Sequence, residues 1–323
     1  MVFFRGNIVR GGMGWQVTEI FNKSGILQIG SSKHSAKATA RESGAKTWAD
    51  LGQELAIYSF STASSYKDTW HLFSSFAKEK FKLRDIEKVT SEQVREYLLS
   101  RLAEGIAIAT FVREAAALSK LENCLNMYSS KYDRGNKYEF RSDIRQTVKD
   151  AKRLLPKPDP HRSYFFPLRV VAATSQEKHR LASHLQFEAG ARIHEISLIK
   201  PAQLLGIHQD EVTGEKIGKI SVRGKGGKSR DLFLKPATYF NVSAVIEAEG
   251  KFCIDKNAYG ADLRQACEVV GEKYSGSHSL RWSYAQHRMD SLQSRGKTYE
   301  QALLIVSRSM GHERADITEH YLR

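Results

Sequence analysis

Apolar residues recur every three or four positions through residues 49–155, which is the pattern of amphipathic helices. The aromatic residues Tyr66, Trp70, Phe73 and Phe76 fall on one face of such a helix. We interpret them as core residues rather than base-stacking groups, because large apolar side chains are mostly buried. The region therefore predicts a bundle of roughly four or five helices.

A capping pattern marks the start of one of these helices. Thr90 precedes the segment SEQVREYLLSRLAEG, and Gln93 lies three residues later, as in a capping box. The pattern predicts that Val94, Tyr97 and Leu98 face the core, and that the helix ends at Gly105.

Residues 164–323 combine helical patterns with one hairpin pattern. The segment KISVRGKGGKSRDLFL predicts two short strands joined by a glycine turn. Helical spacing returns in KNAYGADLRQACEVVGEKY, LRWSYAQHRMDSLQS and YEQALLIVSRSM. The whole chain thus predicts a mainly α fold with a small β-sheet.

Alternating prolines separate these two regions. The segment LLPKPDPHR favours an extended, stiff strap, because proline excludes a continuous helix. We therefore predict a linker at residues 156–163, a helical domain at 49–155 and a second domain at 164–323.

Residues 1–48 have a different pattern, with strand-like pieces broken by glycines and followed by a polar stretch. They contain seven Lys and Arg residues against two Glu residues. Two interpretations remain open: an accessory DNA-contacting module, or a basic N-terminal extension that packs on its neighbour.

Composition narrows the class of partner. The 323-residue chain has a formal charge of +14 and a pI of about 9.6, which favours nucleic acid over an acidic membrane surface. Its three cysteines form no CxxC pair and fit a reducing cytoplasm. We expect no membrane helix and no signal peptide, because no apolar run is long enough.

Four separated segments carry side chains suited to phosphoryl transfer. These residues are Arg192 and Glu195, Lys225 on the glycine turn, His278 and Arg281, and His312 and Tyr321. Arginines can clamp phosphate oxygens and stabilise the added negative charge of a pentacovalent phosphorus. Histidines can move protons, lysine can protonate a leaving alkoxide, and tyrosine can attack phosphorus. No acidic cluster accompanies them, so the set predicts chemistry without a metal or cofactor.

Taken singly, each segment has an ordinary explanation. An Arg three residues before a Glu is usually a surface ion pair, and a glycine hairpin tip is usually only a turn. On the hairpin, Arg223, Lys228 and Arg230 are predicted to contact DNA phosphates, or else to belong to a solvated turn. His194 and His320 each adjoin a candidate residue, but adjacent helical positions point about 100° apart, so we expect both at the periphery.

The order and spacing of these segments resemble the four signature motifs of the tyrosine recombinase (phage integrase) family. The matching segments are GARIHEISLI, VRGKGGKSR, HSLRWSYA and MGHERADITEHYL. The resemblance covers the second domain, and the helical region at 49–155 is compatible with that family's core-binding, SAM-like DNA-binding domain.

The resemblance implies a fold, a reaction and a set of partners. The two domains would form a C-shaped clamp around double-stranded DNA, and a homotetramer would exchange strands between two DNA sites through a Holliday junction. Tyr321 would be the nucleophile, forming a 3′-phosphotyrosyl bond and a free 5′-hydroxyl without metal or ATP. The other implied catalytic residues are Arg192, Lys225, His278, Arg281 and His312, with Glu195 in support. A cytoplasmic, nucleoid-associated protein of prokaryotic or phage origin is implied.

The sequence also departs from the family pattern. Only Leu322 and Arg323 follow Tyr321, whereas many members continue with a tail that docks on a neighbouring subunit. We therefore expect either a removed tail or coupling through another segment, with residues 1–48 as the candidate. Trp282 stands where histidine is frequent, and Met310 where leucine is usual.

Three functions remain open from the sequence. The first is a site-specific recombinase of a mobile element, acting in integration or excision and leaving room for an accessory DNA-bending or directionality factor. The second is a DNA-binding protein on the same scaffold that does not cut, and the third is a type IB topoisomerase-like enzyme. Competent residues at the expected catalytic positions favour the first.

Overall fold

The computed structural model describes residues 11–157, 160–224 and 227–323. The chain divides into two compact units, Met1–Pro158 and Asp159–Arg323. The division falls inside the predicted linker at 156–163, of which residues 158–159 lie outside the described residues. Within the described ranges, no helix is both long and apolar enough to cross a membrane.

The first unit is helical. Its helices are α1 (Met13–Ser24), α2 (Lys33–Glu42), α3 (Trp48–Glu54), α4 (Phe60–Phe81), α5 (Ser91–Ala103), α6 (Ile108–Lys131) and α7 (Arg141–Leu154). Trp70 and Phe73 on α4 are fully buried, while Tyr66 and Phe76 pack at the edge of the same core. The capping box of Thr90 and Gln93 is confirmed, with both of its hydrogen bonds formed at the start of α5.

The prediction of strand-like pieces near the N-terminus is wrong, because this segment forms α1. Val17, Ile20 and Phe21 have helical spacing and are buried among the residues of α4 and α6. Gly11 and Gly12 precede the helix, Gly14 is accommodated in its first turn, and Gly25 ends it with a φ of 82°. α1 is therefore part of the first unit's core.

The second unit combines eight named helices among its described residues with short strands. The helices are α8 (Pro167–Ala173), α9 (Glu177–Ala189), α10 (Ile193–Ile196), α11 (Pro236–Glu249), α12 (Lys256–Val270), α13 (His278–Ser294), α14 (Tyr299–Ser309) and α15 (Ala315–Glu319). The strands are β1 (Leu198–Ile199), β2 (Leu204–Gln209), β3 (Lys216–Arg223), β4 (Ser229–Leu234) and β5 (Phe252–Cys253).

The predicted hairpin is confirmed as β3 and β4, which pair antiparallel from Gly218–Leu234 to Arg223–Ser229. A strand that the sequence did not predict, β2, lies on the other side of β3 and completes a three-stranded sheet. β1 and β5 form a separate antiparallel pair. The prediction of a mainly α fold with a small β-sheet is confirmed.

Candidate active site

Tyr321 lies in the second unit, in a 3-10 turn (His320–Leu322) that follows α15. Its hydroxyl is 3.1 Å from Nε2 of His278, the first residue of α13. Gln286, two turns further along α13, donates a hydrogen bond to the backbone carbonyl of Tyr321 at 3.2 Å. The same helix therefore contacts both the hydroxyl and the backbone of Tyr321.

Aromatic rings and a guanidinium enclose the phenol of Tyr321. The ring centroids of Trp282 and His312 lie 5.0 Å and 5.3 Å from that of Tyr321. The guanidinium carbon of Arg281 is 5.7 Å from the same centroid. The structure thus brings together Tyr321 and three of the other predicted residues.

Arg281 is fully buried, an unusual position for a guanidinium. Nη1 donates to the carbonyl of Gly190, and Nη2 donates to the carbonyl of Met310 at 2.7 Å and to Nε2 of His312 at 2.9 Å. Nε is buried without a partner in the described structure. Burial, followed by the charge of Arg192, lowers the pKa of Arg281 to about 10, so it stays cationic at neutral pH.

Arg192 and Glu195 are joined at the start of α10. Arg192 is the N-cap, its backbone N–H donates to Oε2 of Glu195 at 2.8 Å, and its Nη1 donates to Oε1 at 2.8 Å. The Arg192 side chain remains 26% exposed, whereas that of Glu195 is 2% exposed. The exposed part of the Arg192 side chain can therefore bind an anion, while the buried Glu195 fixes the position of its guanidinium.

The structure places Arg230 differently from the predicted DNA contact. Its side chain is 9% exposed, and its Nη2 donates to Oε2 of Glu195 at 2.7 Å. Nη2 also donates to the carbonyl of Gly190 at 3.1 Å, and Nη1 donates to the carbonyl of Ser309. Its side chain points into the protein and is committed to these acceptors, which contradicts the interpretation of Arg230 as a phosphate contact.

The rest of the hairpin tip is exposed where it is described. Arg223 donates from Nε to the carbonyl of Gly227 at 3.1 Å, and Lys228 forms an ion pair with Glu313, the residue after His312. Both cations keep the surface position that their predicted phosphate contacts require. Lys225, the predicted hairpin lysine, lies outside the described residues.

The two histidines of the site are neutral at physiological pH. Burial, and then the charge of Arg281, lowers the pKa of His278 to about 4. The same two causes in the same order lower the pKa of His312 to about 3. His278 can therefore accept a proton from the hydroxyl that it faces.

Glu195 remains ionised despite its burial. Burial alone would raise the pKa of Glu195, but hydrogen bonding to Arg230 and the charge of Arg230, followed by hydrogen bonds from Arg192, lower it to about 2. Among the described residues, the buried carboxylate of Glu195 thus faces the guanidinium groups of Arg192 and Arg230, with Arg281 nearby, an excess of positive charge suited to a phosphodiester.

Sequence reasoning missed two contributors to the site. Thr318 is buried and lies 2.8 Å from Nδ1 of His312 through its hydroxyl. Arg162 lies over the Trp282 ring at 5.9 Å, and its charge is the third cause of the lowered pKa of His278. Arg162 falls in the predicted linker, where no motif spacing points to it. His194 and His320 are exposed, as expected.

In the described parts of the chain, no three His, Cys, Asp or Glu side chains are grouped so that they could hold a metal ion. The donors gathered around Tyr321 are guanidinium and imidazole nitrogens with a single carboxylate. Such a set matches an anionic ligand rather than a cation.

No protein-family model and no curated protein matches the chain. Solved structures do match. One is the XerH site-specific recombinase bound to difH substrate in a pre-cleavage complex, at 15% identity and a TM-score of 0.58 over 96% of this chain and 92% of that chain. Another is the Tn1549 transposon integrase in complex with a circular intermediate DNA, at 12% identity and a TM-score of 0.55 over 90% of this chain and 94% of that chain.

These likenesses concern the fold. They extend over most of both chains, so they include the helical first unit as well as the second. The chain has the fold of the tyrosine recombinases.

Proposed function

We propose that this protein is a site-specific DNA recombinase in which Tyr321 is the nucleophile. The observation that carries the proposal is the 3.1 Å contact between the Tyr321 hydroxyl and Nε2 of His278, beside the buried Arg281. A phenol, a neutral imidazole and guanidinium groups close together are the parts that a metal-independent transfer of a phosphodiester requires. The shared fold and the basic chain support the same conclusion.

In the proposed reaction, Oη of Tyr321 attacks the scissile phosphorus while its proton passes to His278. The bond between phosphorus and the 5′-oxygen breaks, which leaves a 3′-phosphotyrosyl bond and a 5′-alkoxide. Lys225 supplies the proton that converts this alkoxide to a hydroxyl. Arg192 and Arg281 stabilise the additional negative charge of the pentacovalent phosphorus. Attack by a 5′-hydroxyl from another strand reverses these steps and joins the new pair.

The finer biological assignment is integration or excision of a mobile element, by a homotetramer that joins two DNA sites through a Holliday junction. Exchange between two sites needs at least two cleaving subunits. The helical first domain and the spacing of the signature segments favour such exchange over relaxation by a type IB topoisomerase-like enzyme. An accessory DNA-bending or directionality factor fits the same scheme.

The test uses nicked duplexes tiled across the DNA that surrounds the protein's own gene, where a mobile element retains its sites. The purified protein is mixed with each duplex in EDTA, denatured in SDS and examined for a covalent protein–DNA band. We expect a band with the wild type and none with Tyr321→Phe, although both bind the duplex. Specific binding without any band would overturn the proposal in favour of a non-cutting DNA-binding protein.

A further inference from the structure

Arg230 connects its own strand to two segments that are far apart in the sequence, residues 190–195 and the end of α14. It stands on β4, one strand of the hairpin, and its guanidinium contacts Glu195 beside Arg192, the carbonyl of Gly190 and the carbonyl of Ser309. Its Nε adds a longer contact to Oε1 of Glu195, at 3.4 Å. All three guanidinium nitrogens are therefore used inside the protein.

The surroundings of Arg230 are built to fit its side chain. Gly311, with a φ of +67°, lies so close that an added Cβ would stand 2.9 Å from Cδ of Arg230. Ser309, whose carbonyl accepts from Arg230, also receives a hydrogen bond on its hydroxyl from Tyr284 at 2.8 Å. A side chain at position 311 would displace the stem of Arg230, so the turn before His312 and the arginine depend on each other.

We propose that Arg230 is a positioning residue with two effects. It keeps Glu195 from engaging the guanidinium nitrogens of Arg192 that would bind phosphate, and it fixes the turn that carries His312. This inference deepens the proposed function and rests on it. Arg230 donates to Oε2 of Glu195, and Nη1 is the one guanidinium nitrogen of Arg192 that hydrogen-bonds this carboxylate in the described structure. Arg230 also holds the turn at Ser309, three residues before His312.

Loss of Arg230 would leave Glu195 free to form more hydrogen bonds with Arg192. The Glu195 side chain is 2% exposed in the wild type, and without Arg230 the cation left in hydrogen-bonding contact with its carboxylate would be Arg192. Carboxylate and guanidinium then favour a two-bond fork, which withdraws Arg192 from the DNA phosphate. The groups that face Glu195 are Arg192 and Arg230, with the charge of Arg281 nearby.

The primary experiment compares Arg230→Met with wild type in single-turnover formation of the covalent complex at saturating nicked duplex. We expect the rate constant to fall about 100-fold, the size associated with misplacement of a reacting group by about 1 Å. DNA affinity should remain within about 3-fold of wild type, because Arg230 faces the protein interior. A purely DNA-contacting arginine would give the opposite result, with weakened affinity and a smaller dependence on salt.

The pH dependence supplies a readout that a general packing defect would not change. In wild type, Glu195 stays ionised because its pKa is about 2. In Arg230→Met the carboxyl keeps its burial and loses its main partner, so its pKa rises and acid neutralises it. Cleavage by the variant should therefore recover as the pH falls from about 7 to about 5, and Glu195→Gln in the same background should recover rate without acid.

Further variants guard against misfolding and loss of surface charge. Arg230→Lys keeps one charge but cannot reach all the acceptors, so an intermediate rate is expected. Arg264→Met removes an exposed arginine that stacks on Tyr274 at 4.8 Å and should change neither rate nor affinity. Wild-type rates in both Arg230 variants, or additive effects of Arg230→Met and Glu195→Gln, would overturn the inference.

A measurement without DNA separates this inference from the proposed function. Carboxyl carbon NMR of Glu195 should show no titration above pH 3 in wild type and a raised pKa in Arg230→Met. A raised pKa together with no covalent complex in wild type would refute the proposed function and leave the contact between Arg230 and Glu195 established. An unchanged Glu195 pKa in a folded variant would refute the positioning role directly.

Discussion

Nε2 of His312 lies 2.9 Å from Nη2 of Arg281, and this contact fixes the tautomer of the imidazole. A guanidinium has donors and no acceptor, so Nε2 of His312 accepts and the ring proton is on Nδ1. Nδ1 then donates to the hydroxyl oxygen of Thr318, 2.8 Å away. His312 is therefore a neutral ring in which both nitrogens are hydrogen-bonded.

The tautomer can be observed by nitrogen NMR of the imidazole. Because burial and the charge of Arg281 lower the pKa of His312 to about 3, we expect the Nδ1–H form at neutral pH and no protonation down to about pH 4. Comparison with His312→Gln would assign the signals. An imidazolium signal at pH 6 would contradict the prediction.

The same lowered pKa makes part of the stability dependent on pH. An unfolded histidine has a pKa of about 6.5, so the neutral ring's contribution to the free energy of unfolding is complete above that pH and is lost as the pH falls toward the folded value of about 3. Between about pH 7.5 and pH 5, we expect wild type to lose about 1 kcal/mol more than His312→Gln, after allowing for solvent screening of the partly exposed ring. Urea unfolding at each pH measures the difference, and parallel curves would disprove it.

His278→Gln should slow formation of the covalent complex about 100-fold, because it removes the imidazole that faces the Tyr321 hydroxyl and is the base in the proposed reaction. The deficit should shrink as the pH rises, since hydroxide in the buffer then helps to remove the phenolic proton. The matched control is His194→Gln, at an exposed histidine that hydrogen-bonds Lys256 at 3.2 Å. A deficit independent of pH would show that His278 acts in some other way.

Ile20 tests whether α1 belongs to the core of the first unit. Ile20 is 1% exposed on α1, whereas Ile29, in the loop that follows, is 43% exposed. Ile20→Ala should lower the free energy of unfolding by about 3 kcal/mol, and Ile29→Ala by less than about 0.5 kcal/mol. Urea unfolding followed by circular dichroism measures both changes. Equal effects would mean that α1 is not an integral part of that core.

Features set by neighbouring residues were predictable from the sequence. The capping box of Thr90 and Gln93 and the end of α5 before Gly105 depend on contacts within a few positions. The hairpin of β3 and β4 likewise follows from alternating apolar residues around a glycine turn. The order of the four polar segments gave the candidate residues because each segment is a local pattern.

Features set by distant contacts were not predictable in this way. Nothing in the spacing around Arg230 shows that its guanidinium meets Ser309, 79 positions later, so the hairpin position alone suggested a DNA contact. Strands were predicted in place of α1 because glycines on both sides of a short apolar segment are typical of strand ends. Gly25 instead ends a helix. β2 was missed because the residues of its segment are mostly exposed and show little alternation.

The carbonyl of Gly190 accepts from both Arg230 and Arg281, and it belongs to the backbone. Every amino-acid substitution retains that oxygen, so a mutational survey would identify the two arginines and overlook the acceptor that they share. A substitution at Gly190 would act through sterics instead, since its φ is +57° and a side chain would collide with the Tyr284 ring. Alanine scanning therefore cannot detect the carbonyl that the two arginines share. Only a change to the backbone, such as replacement of the Gly190–Ala191 amide by an ester, would weaken that acceptor itself.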